Sequence, residues 1–342
     1  MLYFFQKFSF SFDIFFKFVC TCSLLVKYIA IHERKMGFSM FDCLFIGSST
    51  KDLLMLVDAP PCSDQRIAAS RMVNACGGPG STAAVAFSSL GGSAALVTAI
   101  GSDDTGDYIR ADLSSRDFSY LDLKEIQNAA SSFSVIQVES NGKRCITCYG
   151  GCTGAMTLSM LDPALLKQAP MIHLAGLSES FLVEAVRFCR EQAPNALISV
   201  DGGNYGLPTA QAILPYTDVF IPDDKTVAKT LGLSSMEDAC RSYHKMGAGL
   251  VCITLGDKGS LAYDGSRFFS APAASVHVLD TTGAGDNFHG AFLYCLLKKF
   301  DLQKTLYFCN AFSALTCEGL GGREALPALE KVLRKMNEIT LA

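Results

Sequence analysis

The chain has 342 residues, a formal net charge of −4 and a hydrophobic content of 49%, enough apolar material for one large α/β core or two ordinary ones. Its mild acidity and the lack of a dense Lys/Arg tract argue against nucleic acid as the main partner. The 14 cysteines are scattered through apolar stretches, the pattern of free thiols in a reducing compartment rather than a disulfide framework, so a cytoplasmic protein is expected.

Residues 1–35 are crowded with Phe, Tyr, Ile and Lys. The longest uncharged run in the second half of this segment, residues 18–26, is too short to span a bilayer. The segment reads as a non-native or disordered extension, translated upstream of a start at Met36 or Met40, rather than as an uncleaved signal-anchor, and no stable membrane association is expected. Residues 41–47 (FDCLFIG) form the first expected strand. Further strands are expected near residues 51–58 and 66–75, with Pro60-Pro61 between them. Gly77-Gly78-Pro79-Gly80 opens an apolar helix that Gly91-Gly92 ends. Residues 94–100 return as a strand, followed by a helix with acidic residues at its start. Strands near residues 132–139 and 144–150 flank Asn141-Gly142, a strong hairpin signal, and join the strands at 51–58 and 66–75 in a small second sheet. Cys145, Cys148 and Cys152 are spaced as CxxCxxxC, but a zinc site wants a fourth ligand and none is supplied locally. From residue 164 onward apolar strands alternate with helical segments. That is the pattern of a doubly wound, mostly parallel sheet, with ligands beyond the carboxyl ends of its strands.

Residues 280–292 read DTTGAGDNFHGAF. An apolar run precedes them, and Phe288, Ala291, Phe292, Cys295 and Leu296 recur at helical spacing after them. The stretch is therefore a strand-to-helix turn in which Thr281 and Thr282 suit N-capping. Gly283, Ala284 and Gly285 carry almost no side chain, so their N–H groups can approach an anion at the positive end of the helix. Asp286 follows in the first turn. A carboxylate beside an anion site makes chemical sense where the anion is a phosphoryl group in transfer and the carboxylate takes the proton of the attacking hydroxyl.

Together GGPGSTAAVAFSSLGG, DTTGAGDNFHGAF and GGREALP resemble the ribokinase-like (PfkB) carbohydrate kinases, and within that family the 6-deoxy-6-sulfofructose kinases and nearby sugar kinases. The resemblance implies one kinase domain over residues 41–338, with the small sheet as a lid over the sugar. It implies phosphoryl transfer from ATP with Mg²⁺ to a sugar hydroxyl. Asp52 matches the family's sugar-binding aspartate, Gly77 and Gly78 its glycine pair, and Thr82 stands where asparagine is usual. Arg66 stands where sulfofructose kinases carry a basic sulfonate contact, whereas the other two sulfonate contacts fall on uncharged Cys148 and Ser178. Thr254, Gly256 and Gly259 match the nucleotide loop, and Asn310 the polar contact to adenine. Asp223 and Thr226 occupy a degenerate Asn-x-x-Glu motif, from which Asp223 or Asp224 would organise Mg²⁺ through water. Asp280 and Thr282, with carbonyls of Gly321-Gly322-Arg323, would hold a monovalent cation such as K⁺. The acceptor stays open between a ketohexose or sulfofructose and the substrates of a fructokinase, a 2-keto-3-deoxygluconate kinase or a nucleoside kinase. A non-catalytic regulatory protein of the same fold is the alternative from another class. Exposed edges of the small sheet suggest a homodimer.

Overall fold

A computed structural model describes residues 40–203 and 205–341; the expectation for residues 1–35 lies outside this range. The main sheet contains β1 (Cys43–Gly47), β4 (Ala94–Gly101), β5 (Tyr120–Ile126), β8 (Met171–Ala175), β9 (Leu197–Asp201), β10 (Val219–Ile221), β11 (Leu250–Thr254), β12 (Ser260–Tyr263) and β13 (Phe268–Ala271). Its strand order is β13-β12-β11-β10-β9-β8-β1-β4-β5. Pairing is parallel from β11 through to β5 and antiparallel for β12 and β13.

Every residue of β1 and β4 is buried, as expected where helices cover both faces of a parallel sheet. Successive side chains of a strand serve different cores. Leu44 and Ile46 join one core and Cys43 and Phe45 the other. The second core is closed by α1 (Pro79–Ser89), α2 (Asp104–Ser114), α8 (Ala284–Leu297), α9 (Leu302–Thr316) and α10 (Leu329–Leu341). The first is closed by α3 (Pro163–Gln168), α4 (Glu179–Gln192), α5 (Leu207–Ile213), α6 (Asp224–Leu231) and α7 (Met236–Lys245). The doubly wound α/β architecture expected from the alternation is thus present.

The small sheet is built from β2 (Thr50–Val57), β3 (Arg71–Gly77), β6 (Phe133–Glu139) and β7 (Arg144–Tyr149), in the order β3-β2-β6-β7. One strand differs from expectation. β3 starts at Arg71, not near residue 66, because Cys62 and Gln65 close a turn on each other and Asp64 takes φ 60°. The pairing with β2 then begins only at Ser70, whose N–H donates to Leu56 O. Arg66 is therefore an exposed loop residue outside the sheet. Across the sheet, Asp52, Ser134 and Cys148 align in one row.

The twelve described cysteines are all free. Cys145 and Cys148 point to opposite faces of β7, and no cluster of metal-binding side chains forms among the described residues. No described helix is long and apolar enough to cross a membrane.

Asp103 ties the root of the small sheet to the main one. Its carboxylate caps α2 through Gly106 N at 2.8 Å and accepts from Ser131 N at 2.9 Å and Ser131 Oγ at 2.5 Å. Burial opposes ionisation here, but the hydrogen bonds from Ser131 and Gly106 outweigh it and hold the carboxyl below its usual range. A depressed folded-state pKa stabilises above the unfolded value and loses that contribution as pH falls through the folded one. Asp103→Ala should lower the unfolding free energy by about 1–2 kcal/mol near neutral pH, with the deficit shrinking below about pH 4. Urea titrations at both pH values check this, and a deficit that does not change with pH would show that the carboxylate's charge is not what matters.

Candidate active site

The turn before α8 is fixed by one buried carboxylate. Asp280 is 1% exposed. Its Oδ1 accepts from Thr282 N at 2.9 Å and Thr282 Oγ1 at 2.7 Å, and its Oδ2 from Gly321 N at 2.9 Å. Asn287 Nδ2 donates to Gly322 O at 2.6 Å, and Ser313 Oγ on α9 donates to Ala284 O at 2.7 Å. Neither threonine caps the helix. Thr282 is spent on Asp280, while Thr281 accepts from Arg144 and donates to Gly142 O. The N-cap is Gly283, with no side-chain cap, so the positive end of α8 stays open to an anion.

The two glycines of this turn differ in kind. Gly283 has φ 71°, and a Cβ on it would lie 2.6 Å from Gly322 Cα, so the fold itself demands glycine. A Cβ on Gly285 would meet nothing within 4 Å. Gly285 therefore opens a space at the helix N-terminus that the protein's own packing does not use.

Asp286 is partly buried beside that space. Its pKa is raised to about 7, first by burial, then by the negative charges of Asp201 and Asp52, with Arg144 pulling the other way. The structure thus brings Asp52, Asp201 and Arg144 within electrostatic reach of Asp286. Asp52 is 4% exposed and accepts from Thr50 Oγ1 at 2.9 Å. Burial pushes its carboxyl up, against the pull of Thr50, Ser134 and Arg323. Gly77 lies so close that a Cβ would fall 2.0 Å from Asp52 Oδ2, and Gly78 follows it into α1. Thr82 is 0% exposed and its hydroxyl has no hydrogen-bond partner; it lies beside the Gly322 turn, where a Cβ on Gly322 would fall 3.7 Å from its Oγ1. Arg66 is an exposed loop residue.

On the opposite side, Thr254 ends β11 and bridges to Asp223. Gly256 has φ 60° with open space beyond it, whereas Gly259 is packed against Ala271 O. Asn310 gives both its amide donations, each 2.9 Å, to Ala271 O and Pro272 O, so its donors brace the β13 exit. Asp223 caps α6 through Thr226 N at 2.7 Å with one carboxylate oxygen; it is exposed and its other oxygen is unassigned to the cap. Asp280 takes three protein donors and Gly322 O takes the Asn287 amide, so these atoms form a hydrogen-bonded brace.

Sequence reasoning missed Arg144 and Asp201. Arg144 reaches Thr281 across 137 residues of chain, and no local pattern signals such a pairing. Asp201 carried a usable signal, since it ends β9 at the carboxyl edge of the sheet where ligands bind.

A family model described as pfkB family carbohydrate kinase matches residues 40–329. The deoxyribokinase of Salmonella typhimurium is 24% identical over 298 residues, 85% of this chain and 97% of the relative. The Arabidopsis thaliana ribokinase complexed with ribose and ATP superposes with a TM-score of 0.74 at 21% identity, covering 86% of this chain and 98% of that one. A putative ribokinase II from E. coli in complex with ATP and Mg²⁺ gives 0.73 at 20% identity, covering 87% and 99%.

The contrast between the two glycines is measurable without any ligand. Gly283→Ala forces a side chain into a left-handed turn against Gly322 and should cost about 2 kcal/mol or more. Gly285→Ala should be neutral or stabilising by roughly 0.5–1 kcal/mol, because alanine favours a helix. Thermal unfolding of both variants checks the pair. Equal destabilisation would mean that Gly285 is also held by packing.

Proposed function

The chain belongs to the pfkB family of carbohydrate kinases, phosphotransferases with a hydroxyl acceptor, and we propose that it transfers the γ-phosphate of ATP to a hydroxyl of a neutral sugar, with Asp286 as the base. One observation carries this reading: a carboxylate with a pKa near 7 stands beside an uncapped helix N-terminus with free space over Gly285. A base poised near neutrality accepts a proton as the hydroxyl attacks. The N–H groups of Gly283 and Gly285 face the charge that builds on the phosphoryl group, while that of Ala284 donates to Thr281 O at 3.2 Å, and Arg144 supplies a nearby cation. When bound, Mg²⁺ neutralises the nucleotide phosphates, and the free oxygen of exposed Asp223 fits a water-mediated ligand for it. Thr254 and Gly256 flank the expected nucleotide side, where Gly256 leaves room. Catalysis is then mostly positioning and electrostatics.

Several features favour a neutral acceptor over a sulfonated one. The row facing Asp52 holds Ser134 and Cys148, both uncharged. Arg66 stands outside the sheet, and Arg144 is engaged with Thr281. A carboxylate in such a row reads hydroxyls. ADP release with ribose, 2-deoxyribose, fructose, sulfofructose, 2-keto-3-deoxygluconate and adenosine tests the choice. The largest kcat/KM should belong to a neutral sugar. Preferred turnover of sulfofructose, with its KM raised about tenfold by Arg66→Gln, would reverse it. Free thiols fit a cytoplasmic setting. The exposed Tyr149 on the β7 edge and Met72 on the β3 edge support a homodimer through the small sheet, which light scattering on the purified protein would detect.

Asp286→Asn keeps the shape and removes proton acceptance, so turnover should fall on the order of 10²–10⁴-fold with nucleotide affinity little changed. In the native enzyme only ionised Asp286 is a base. With a pKa raised to about 7, kcat/KM should climb up to that pH and level off above it. A variant keeping more than half the rate, or a flat profile between about pH 5 and 8, would remove Asp286 from the chemistry.

A further inference from the structure

Residues 317–328, which join α9 to α10, contain no helix or strand, yet they include the largest fully buried side chain among the described residues, that of Arg323. Its side chain is 0% exposed. Nη2 donates to Asp112 Oδ2, in the last turn of α2, at 2.7 Å, while Nε and Nη1 have no hydrogen-bond partner. The Cys76 thiol is close enough to feel this charge, but burial pushes its pKa up to about 11, so it stays neutral and offers no counter-charge. Asp112 is held in turn by Arg116, whose Nη2 donates to Oδ1 at 2.6 Å. A buried guanidinium with two stranded N–H groups is expensive, and an apolar side chain of similar size is often the more stable filling. Stability alone does not account for an arginine here.

Its place in the chain supplies a reason. Gly321 and Gly322 precede it directly, Gly321 with φ 91°. Two consecutive glycines outside any regular element have wide backbone freedom, and these two must lie in one place. Gly321 N donates to Asp280 Oδ2 at 2.9 Å, and Gly322 O accepts from Asn287 Nδ2 at 2.6 Å. Gly322 Cα is so near Gly283 that a Cβ there would fall 2.6 Å from it. Upstream, the segment is tied by Cys317 O, which accepts from Leu279 N at 2.8 Å and Asp280 N at 3.2 Å. Downstream, it is tied by the Arg323 side chain to α2.

We propose that Arg323 is a positioning residue for phosphoryl transfer: its ion pair with Asp112 anchors the Gly321-Gly322 turn to α2, and that turn, pressed on Gly283, fixes where the N–H groups at the start of α8 meet the phosphoryl group. The proposal rests on the reading of that helix end as the place of transfer. Arg323 touches no reacting atom and keeps its proton throughout. Donors aimed at a developing charge act only when held in register, and small misplacements are costly in rate. The same helix α2 is capped at its other end by Asp103, which also binds Ser131 at the root of the small sheet. One helix thus carries both the root of that sheet and the anchor of the turn behind the anion site. Thr254 and Gly256 on the nucleotide side lie on other segments, so loosening the anchor acts on the phosphoryl group in transit and not on the bound nucleotide.

The test uses the full chain with Arg323→Met, Arg323→Lys and Asp112→Asn. Asp112 keeps Arg116 and is partly exposed, so Arg323→Met strands no buried charge and should melt close to the wild type. Two readouts are taken with the best sugar of the panel: kcat and KM with Mg·ATP, and the affinities for Mg·ADP with and without aluminium fluoride, a mimic of the phosphoryl group in transit. Arg323→Met should cut kcat about tenfold with the KM for ATP within about twofold. It should weaken the aluminium fluoride complex by about the same factor while leaving ADP alone unchanged. Arg323→Lys, which can remake the ion pair, should recover to within about threefold of wild-type kcat. Asp112→Asn leaves the Arg323 charge in place and weakens only the anchor, and it should show a smaller loss in both readouts. Wild-type kcat and aluminium fluoride affinity in Arg323→Met, equal weakening of ADP with and without aluminium fluoride, or Arg323→Lys as impaired as Arg323→Met overturns the proposal. Should Arg323→Met not fold, Asp112→Asn decides by the same readouts, and wild-type behaviour there overturns it. If aluminium fluoride tightens ADP binding to the wild type but Arg323→Met is unaffected, only the positioning role fails. If Gly285→Val leaves the aluminium fluoride complex as tight as in the wild type, the reading of the helix end as the place of transfer fails and the proposal with it.

Discussion

The site depends on one buried carboxylate being spent on backbone. Asp280 takes the N–H and hydroxyl of Thr282 with one oxygen and the N–H of Gly321 with the other. Two turns that are distant in sequence are thereby pressed together until Gly283 and Gly322 leave no room for a side chain. Hydrogen bonds to a charged acceptor are individually worth more than neutral ones, and leaving any of these buried donors unmet would be expensive. The brace explains why α8 begins where it does and why its N-cap is a glycine. Its first turn is held by Asn287 and Ser313 instead of by a capping hydroxyl. A conventional Ser or Asp cap would cover the helix end; this arrangement fixes it and leaves it bare.

That bare end carries an electrostatic imbalance. Two carboxylates, Asp201 and Asp52, act on Asp286, with Arg144 as the opposing cation. The raised proton affinity of Asp286 has a definite sign for stability. The folded state holds this proton more tightly than the unfolded chain, so folding loses stability as pH rises from the ordinary carboxylate range, near ~4, to about 7. The site is thus least favourable to the fold near neutral pH, the trade expected at a functional centre. An incoming phosphoryl group adds further negative charge. The open helix end and Arg144 are the features that can meet it.

Much of this was legible in the sequence, for reasons that differ by element. The doubly wound sheet shows itself because fully buried parallel strands are continuous apolar runs such as FDCLFIG. The β6–β7 hairpin shows itself because Asn-Gly fits few other conformations. The turn at residues 280–286 shows itself because consecutive small residues before a helix have few structural uses. What failed to show depends on contacts between distant segments. The donations of Asn310 to Ala271 O and Pro272 O and the burial of Thr82 beside the Gly322 turn are contacts of this kind. The start of β3 was misread because IAAS is apolar enough for a strand, while the turn at Cys62 and Gln65 delays pairing to Ser70. The three donors on Asp280 are equally hidden, because sequence shows a carboxylate and not the segments folded onto it.

The small sheet meets the rest of the molecule at two places of unequal strength. At its root, Asp103 binds Ser131 through both main-chain and side-chain donors while Ser131 Oγ accepts from Gly101 N at 2.8 Å. These are buried or partly buried and charge-assisted, and so costly to break. At its tip, Gly142 O accepts from Thr281 and exposed Arg144 donates to the same hydroxyl. Exposed contacts of this kind contribute little, because water replaces them readily. Asp52 and its row lie between root and tip. The contact that breaks most easily is thus made by Arg144, the cation that acts on Asp286.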